Sequence, residues 1–159
     1  MKLQFDNRGG IAYMYALPPE CLNRIRRNFG DDDTFSPEFV KSEKMIKVPC
    51  YAGSSHKFVE KKTLGEDGES YSLEISGVVP AHLMARNELK KLSKGRWLVV
   101  FQDKMGEIRM SGTKEIPLYF DYNDETGGQV TELNGYKFSF VAKQAKPSLV
   151  CVQVDLRSL

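Results

Sequence analysis

Residues 71–79 read Tyr-Ser-Leu-Glu-Ile-Ser-Gly-Val-Val, in which apolar side chains at positions 71, 73, 75 and 79 alternate with polar ones at 72, 74 and 76. A period of two is typical of a β-strand that buries one face and exposes the other. The stretch therefore predicts a half-buried strand of an antiparallel sheet.

The neighbouring segments predict further strands joined by tight turns. Trp-Leu-Val-Val-Phe at 97–101 is a continuous apolar run, which indicates a central strand buried on both faces. Asn134-Gly135, between alternating segments at 130–133 and 136–140, is typical of a two-residue hairpin turn. Other segments of strand length lie at 11–17, 45–48, 58–64, 108–110, 118–122 and 149–155.

Two helices are predicted. Pro80 begins the longer one, in which apolar residues at 81, 85, 89 and 92 repeat at helical spacing before Gly95 ends it. A shorter helix is predicted from Pro19 to Arg27, because proline suits a first helical turn. Between residues 29 and 42 the apolar pattern disappears, so a long flexible loop is predicted over 29–42.

Together these segments predict a single domain over residues 1–159, mainly β (α+β), with roughly seven to nine strands. Tight turns between successive strands favour an antiparallel β-sandwich or an open barrel with one main flanking helix. The 159 residues are 41% hydrophobic and 28% charged, which is enough for a core and too well mixed for a disordered chain.

Composition also narrows the function. The chain has no apolar run of signal-peptide or membrane-helix length, so we expect a soluble cytoplasmic protein with no membrane partner. A net charge of +2 is not the excess of a protein that holds DNA along a whole face. Cys21, Cys50 and Cys151 lie far apart and are interpreted as small core residues.

The sequence holds no catalytic signature. His56 and His82 have no metal-ligand spacing around them and are predicted to be exposed. Polar residues at 121, 123, 125 and 132 match positions of a calcium-loop template, but its glycine is missing and the flanks are strands, so a solvated hairpin loop is preferred. We expect neither an enzyme nor a cofactor.

Two basic groups and one acidic run are the contact surfaces that the sequence suggests. The basic groups fall at predicted helix ends, where cations stabilise the negative end of the helix dipole. The functional alternative is a basic contact patch formed by Arg24, Arg26, Arg27, Lys90, Lys91 and Lys94. The acidic run is interpreted as a solvated loop, with subunit contact as its functional alternative, through Asp31, Asp32 and Asp33.

Five stretches carry a resemblance: GGIAYMYALP at 9–18, YSLEISG at 71–77, WLVVFQD at 97–103, NGYKFSF at 134–140 and KQAKPSL at 143–149. Together they resemble a family of small, largely uncharacterised proteins encoded among the structural genes of prophages in anaerobic gut bacteria. The resemblance covers most of the chain except residues 29–42. The order of strands, helix and hairpins is also similar to that of phage tail-tube and tail-completion proteins, which are β-sandwiches or barrels that form rings.

The resemblance implies a virion structural protein, associated with the tail, that assembles with copies of itself and with other virion subunits. It implies a location in the bacterial cytoplasm during assembly and afterwards in the virion. The segments predicted to contact neighbouring subunits are the 29–42 loop and the charged strand at 57–62, since exposed edges and long loops suit assembly.

Three alternatives drawn from the residues stay open. The first is a nucleic-acid-binding β-barrel that uses the basic contact patch and whose binding weakens steeply with salt. The second is an enzyme with an unrecognised site. The third is a carrier that holds a small ligand inside the barrel, although the many aromatic side chains are expected to fill that interior.

Overall fold

The fold is given by a computed structural model, which describes residues 10–28, 30, 33–40, 43–50, 56–125, 135–152 and 154. The strands are β1 (Ile11–Leu17), β2 (Leu22–Arg27), β3 (Thr34–Phe39), β4 (Ile46–Val48), β5 (Lys57–Gly65), β6 (Gly68–Pro80), β7 (Arg96–Asp103), β8 (Ile108–Ser111), β9 (Leu118–Glu125), β10 (Gly135–Gln144) and β11 (Leu149–Cys151). A 3₁₀ helix spans Pro19–Cys21 and the α-helix α1 spans Arg86–Lys94. The protein is therefore mainly β with one main helix, as the sequence predicted.

The strands form one open, folded sheet whose hydrogen-bonded order is β2-β3-β11-β8-β7-β9-β10-β6-β5. Two strands lie off this path: β1 pairs with β7, and β4 pairs with β1. β7 takes part in both layers of this folded sheet. Its main part pairs with β1 and β8, whereas its first residues, Arg96 and Trp97, pair with β9. We call β4-β1-β7-β8-β11-β3-β2 sheet A and β9-β10-β6-β5 sheet B. All described pairs are antiparallel except β3 with β11, so the sheet is mixed.

Two apolar clusters form the core of the described residues. The larger one lies between sheets A and B and takes in Met14, Val99, Ile75, Phe138 and Phe140. The smaller one lies on the other face of sheet A and includes Tyr15, Leu17, Leu98, Val100 and Met110. β7 alternates between the two clusters, which confirms the predicted central strand buried on both faces.

The cysteine prediction is confirmed for two residues and holds in part for the third. Cys21 and Cys151 are buried, and Cys50 is half-buried against the larger cluster. Burial raises the pKa of the Cys50 and Cys151 thiols to about 11, because the thiolate would lose its hydration. Both thiols are therefore expected to be unreactive at neutral pH.

The longer helix begins later than predicted. Pro80 is the last residue of β6 and still pairs with β10, so the chain is extended there and α1 starts at Arg86. Leu89 and Leu92 are the buried residues of the helix, as the spacing predicted. Trp97 Nε1 donates a 2.7 Å hydrogen bond to the Leu92 carbonyl, which ties the helix end to β7.

The shorter predicted helix is wrong beyond its first turn. Only Pro19–Cys21 is helical, and Leu22–Arg27 forms β2. The cause is pairing with the next strand along the chain, since β2 pairs with β3 from Leu22↔Phe39 to Arg27↔Phe35. Tertiary pairing thus overrides the local preference of this segment.

The predicted loop over 29–42 is also wrong in its centre, where β3 lies. Pro37 has no N–H, which argued for a loop, but it stands opposite Ile25 and beyond the two residues that pair with β11. A proline is tolerated where no ladder hydrogen bond is needed. Phe29, Asp31, Asp32 and residues 41–42 lie outside the described residues.

The predicted hairpin at 130–140 is described only in its second strand. Residues 126–134, including the predicted strand at 130–133 and the Asn134 turn position, lie outside the described residues. Among the described strands, β10 pairs with β9 on one side, from Gly135↔Glu125 to Val141↔Tyr119, and with β6 on the other.

The histidine prediction is wrong for His56 and correct for His82, which is exposed. His56 is 1% exposed, and its ring lies on Gly77 of β6, where an added Cβ would approach Nδ1 to 2.7 Å. The ring also meets Phe138 edge-on, with 5.1 Å between centroids. A glycine at an inward strand position therefore makes room for an imidazole from the segment before β5.

Candidate subunit-contact site

β2 forms one end of the strand path and is the most exposed strand of sheet A. Leu22 is buried, but every residue from Asn23 to Arg27 is exposed. In the described part of the chain β2 pairs with β3 alone, and β3 is held by β11 at only two positions, Thr34 and Phe35. β2 and β3 therefore form an arm, which we call the β2–β3 arm, whose outer edge is open.

The alternation of hydrogen-bonded and non-hydrogen-bonded pairs between β2 and β3 shows which backbone groups face the open edge. Asn28 N donates to the Thr34 carbonyl at 2.9 Å, so this pair exchanges hydrogen bonds. Hydrogen-bonded and non-hydrogen-bonded pairs alternate in an antiparallel ladder. Arg26 and Arg24 therefore turn their backbone toward β3, whereas Ile25 and Arg27 turn theirs to the open edge.

The arginine side chains of β2 are held within the arm. Glu38 of β3 accepts from Arg24 Nε at 2.6 Å and from Arg26 Nε at 2.8 Å. Arg27 pairs with Asp33 at 2.5 Å. The hydrogen bonds from Arg24 and Arg26 lower the pKa of Glu38 to about 2, because they stabilise its charged form. The open edge is thus largely neutralised by its own strand partner.

The predicted basic patch draws on two different elements of the fold. Arg24, Arg26 and Arg27 lie on a strand rather than at a helix end, which corrects their predicted setting. Lys90, Lys91 and Lys94 do lie in the second half of α1, as predicted, and are exposed. β2 packs on β3, whereas α1 packs on β9.

The predicted acidic contact loop is described only at its end. Asp31 and Asp32 lie outside the described residues, and Asp33 is exposed and pairs with Arg27. In this structure Asp33 therefore helps to hold the arm, so its acidic charge does not face a neighbour unopposed.

β5 forms the other end of the strand path and carries a different edge. It pairs with β6 along its whole length, from Lys57↔Ser76 to Gly65↔Gly68. Its lysines at 57, 61 and 62 are exposed, and only that at 62 has an ion pair among the described residues, with Glu69 at 2.8 Å. Lysines along an edge disfavour pairing with another strand.

Two further places in the fold bear on ligand binding, the calcium-like stretch and a surface cleft. Asp121 and Asn123 of the calcium-like stretch lie on β9, and Glu132 is outside the described residues. The described residues hold no group of three or more His, Cys, Asp or Glu side chains placed to bind a metal. A cleft of about 730 Å³ lies between the 3₁₀ helix and the end of α1, with Lys91, Lys94 and Trp97 in its lining.

Comparison with protein-family models, curated proteins and solved structures finds no match to this chain. No helix in the described part of the chain is long and apolar enough to cross a membrane. The open edge of β2 is the feature of the site that the sequence did not indicate. Alternation of Phe35, Pro37 and Phe39 was the available signal for its partner strand.

Proposed function

We propose that this protein is a virion structural protein, associated with a phage tail, that assembles with other subunits through the open edge of β2. The observation that carries the proposal is the outward-facing backbone of Ile25 and Arg27 on an exposed arm. A strand with unpaired N–H and C=O groups is a template for another strand, and addition of a strand is a common mode of protein recognition.

The electrostatics of the arm support this role. A free row of arginines would repel an identical arm, but Glu38 and Asp33 hold those of β2 against β3. The ion pairs also fix the exposed arm in an extended form, which lowers the entropy lost on docking. The partners proposed are copies of this chain and other virion subunits, as the resemblance of residues 9–18, 71–77 and 97–103 implies.

The nucleic-acid alternative receives less support from this geometry. The three guanidinium groups of Arg24, Arg26 and Arg27 share the two carboxylates of Glu38 and Asp33, so most of the unopposed charge of the basic patch lies on the lysines of α1. If that alternative were correct, the protein would be retained on DNA at low salt and released steeply as salt rises.

The test is Ile25→Pro, which removes an outward N–H while leaving the hydrogen bonds between β2 and β3 in place. The matched control is Ile25→Thr, which keeps the N–H and the β-branched shape. We expect Ile25→Pro to weaken self-association roughly tenfold or more, because one intermolecular hydrogen bond is lost and the ring obstructs strand pairing. Sedimentation velocity over a concentration series gives the measurement.

Both variants should unfold within about 0.5 kcal/mol of the parent, as surface changes usually do. Equal self-association of Ile25→Pro and Ile25→Thr, with both folded, would contradict assembly through β2. A parent protein that stays monomeric at every concentration would contradict self-assembly through this edge.

A further inference from the structure

An apolar row crosses the outer face of sheet B, away from the core. Val59 of β5, Val141 of β10 and Tyr119 of β9 are 50%, 40% and 54% exposed. Their register is continuous, since Val59 and Val141 both stand opposite Glu74 of β6 and Val141 stands opposite Tyr119. The row lines a groove of about 560 Å³, which we call the outer groove.

The border of the outer groove is basic. Lys61 of β5 and Lys143 of β10 both stand opposite Ser72 of β6, two residues along each strand from the apolar row and therefore on the same face. Neither lysine is engaged in an ion pair within the described part of the chain. The Arg96 guanidinium lies 3.8 Å from the ring centroid of Tyr119, at the end of the row. The groove thus has an apolar row that Glu74 of β6 interrupts, and a cationic rim.

The complementary feature is the turn between β5 and β6. Leu64, just before it, is 77% exposed. Gly65 and Gly68 pair across the turn, so Glu66 and Asp67 occupy its tip, and both are exposed. These two carboxylates have no ion pair among the described residues, whereas the nearby Glu69 is paired with Lys62. We call Leu64–Glu69 the acidic tip.

We infer that the acidic tip of one copy of this protein docks into the outer groove of a second copy. Leu64 would meet the apolar row while the tip carboxylates meet Lys61 and Lys143, which gives an apolar centre with a charged rim as in stable interfaces. The tip cannot fold back into the groove of its own chain, because it is the tight turn that joins β5 and β6, two of the strands that form the groove floor. The inference rests on the proposed assembly function and assigns it a second contact.

Such a contact joins different surfaces of the two copies, so it repeats head to tail. Repetition of a head-to-tail contact produces a closed ring or a filament, depending on the rotation between neighbours. Edge pairing through β2 alone, if each copy uses the same edge, would stop at a pair. The tip and groove would therefore supply the contact that extends an assembly.

The test uses the full chain with Ile25→Pro, so that pairing through β2 is blocked and any remaining association reports on the tip and groove. A groove-reversed variant carries Lys61→Glu and Lys143→Glu. A tip-reversed variant carries Glu66→Lys and Asp67→Lys. We expect each variant alone to associate at least about tenfold more weakly than the Ile25→Pro protein, because like charges then face each other.

Mixing the two reversed variants should restore association, since each tip then finds a groove of opposite charge. Sedimentation velocity of the mixture at low salt gives the readout, and added salt should weaken it. A mixture that associates no better than either variant alone would overturn the inference. The proposed function has a separate outcome, the difference between Ile25→Pro and Ile25→Thr, so the two can fail independently.

Glu74 offers a sharper readout because it is an acidic residue in the groove that the tip carboxylates must approach. Glu74→Gln removes this repulsion and keeps the side-chain shape. We expect association of the Ile25→Pro protein to strengthen severalfold in this variant. Weaker association would contradict docking of an acidic segment at this groove.

Discussion

β2 and β5 end the same strand path, yet they differ in what supports them and in how they carry charge. β5 is paired along its whole length with β6, whose inward side chains lie in the larger cluster. β2 rests on β3, which is itself held at two positions. β5 displays lysines, whereas the arginines of β2 are bound by carboxylates of the arm. An edge can thus be protected by free charge or prepared for pairing by neutralising that charge.

The largest expected effect is on the free energy of unfolding, which reports how firmly the core holds each edge. Ile75 of β6 is fully buried behind β5, whereas Ile25 of β2 is 38% exposed. Ile75→Ala should lower the free energy of unfolding by roughly 2–5 kcal/mol through lost burial and a cavity. Ile25→Ala should lower it by less than about 1 kcal/mol. Urea unfolding of both variants provides the measurement, and equal losses would contradict the contrast in support.

A proline in β5 tests whether the β5 edge contributes to self-association as the β2 edge is proposed to do. The two-residue turn makes Gly65 and Gly68 a hydrogen-bonded pair, so alternation leaves Lys62 with its backbone facing outward. Lys62→Pro should leave self-association within about twofold of the parent, against roughly tenfold weakening for Ile25→Pro. Lys62→Gln controls for the lost charge. A strong loss with Lys62→Pro alone would assign assembly to β5 instead.

Acidification should lower the stability of the protein through His56, which precedes β5, before it affects the ion pairs of the β2–β3 arm. His56 lies just before β5, and its backbone carbonyl accepts a 3.2 Å hydrogen bond from Ile11 N. Burial lowers the pKa of His56, as does Lys104, while the Pro49 backbone opposes the shift. The unfolded chain therefore binds the proton more readily, so stability falls as the pH drops below about 6.5, by up to about 1.4 kcal/mol per pH unit.

The measurement is urea unfolding between pH 8 and pH 5, compared with His56→Gln. The variant has a lower stability at neutral pH from altered packing, but its slope between these pH values should be flatter than that of the parent. Equal slopes would show that His56 does not carry the pH dependence.

The smallest effect concerns the ion pairs of the arm. The pKa of Glu38 is about 2, so the carboxylate stays charged as the pH falls from neutral, and its contribution is lost only between its unfolded value and about pH 2. Arg24→Gln should raise the pKa of Glu38 more than Arg26→Gln does, because the Arg24 hydrogen bond is the larger cause. Carboxyl chemical shifts in an NMR titration give the values, and the reverse order would contradict the assigned geometry.

Local periodicity was sufficient for the elements that pack on the core. The period of two at 71–79 and the apolar run at 97–101 reflect burial on one face and on both faces, and the structure confirms β6 and β7 there. Helical spacing likewise identified Leu89 and Leu92 as the buried face of α1, whereas Ala81 and Ala85 of the same pattern precede the helix and are exposed. In each case the side chains that create the pattern are the ones that are buried, so the pattern itself holds the information.

The sequence by itself determined a mainly β domain, its central strand and its helix, because buried side chains recur along the sequence at the period of the strand or helix that carries them. Only the tertiary structure decided that residues 22–27 are a strand, that His56 is buried against Gly77, and which strands end the sheet. Those features depend on pairing between strands: β2 exists because β3, the next strand along the chain, lies beside it, and an edge is open because no described strand covers it. An exposed strand buries few side chains, so it leaves no apolar period from which its position could be predicted.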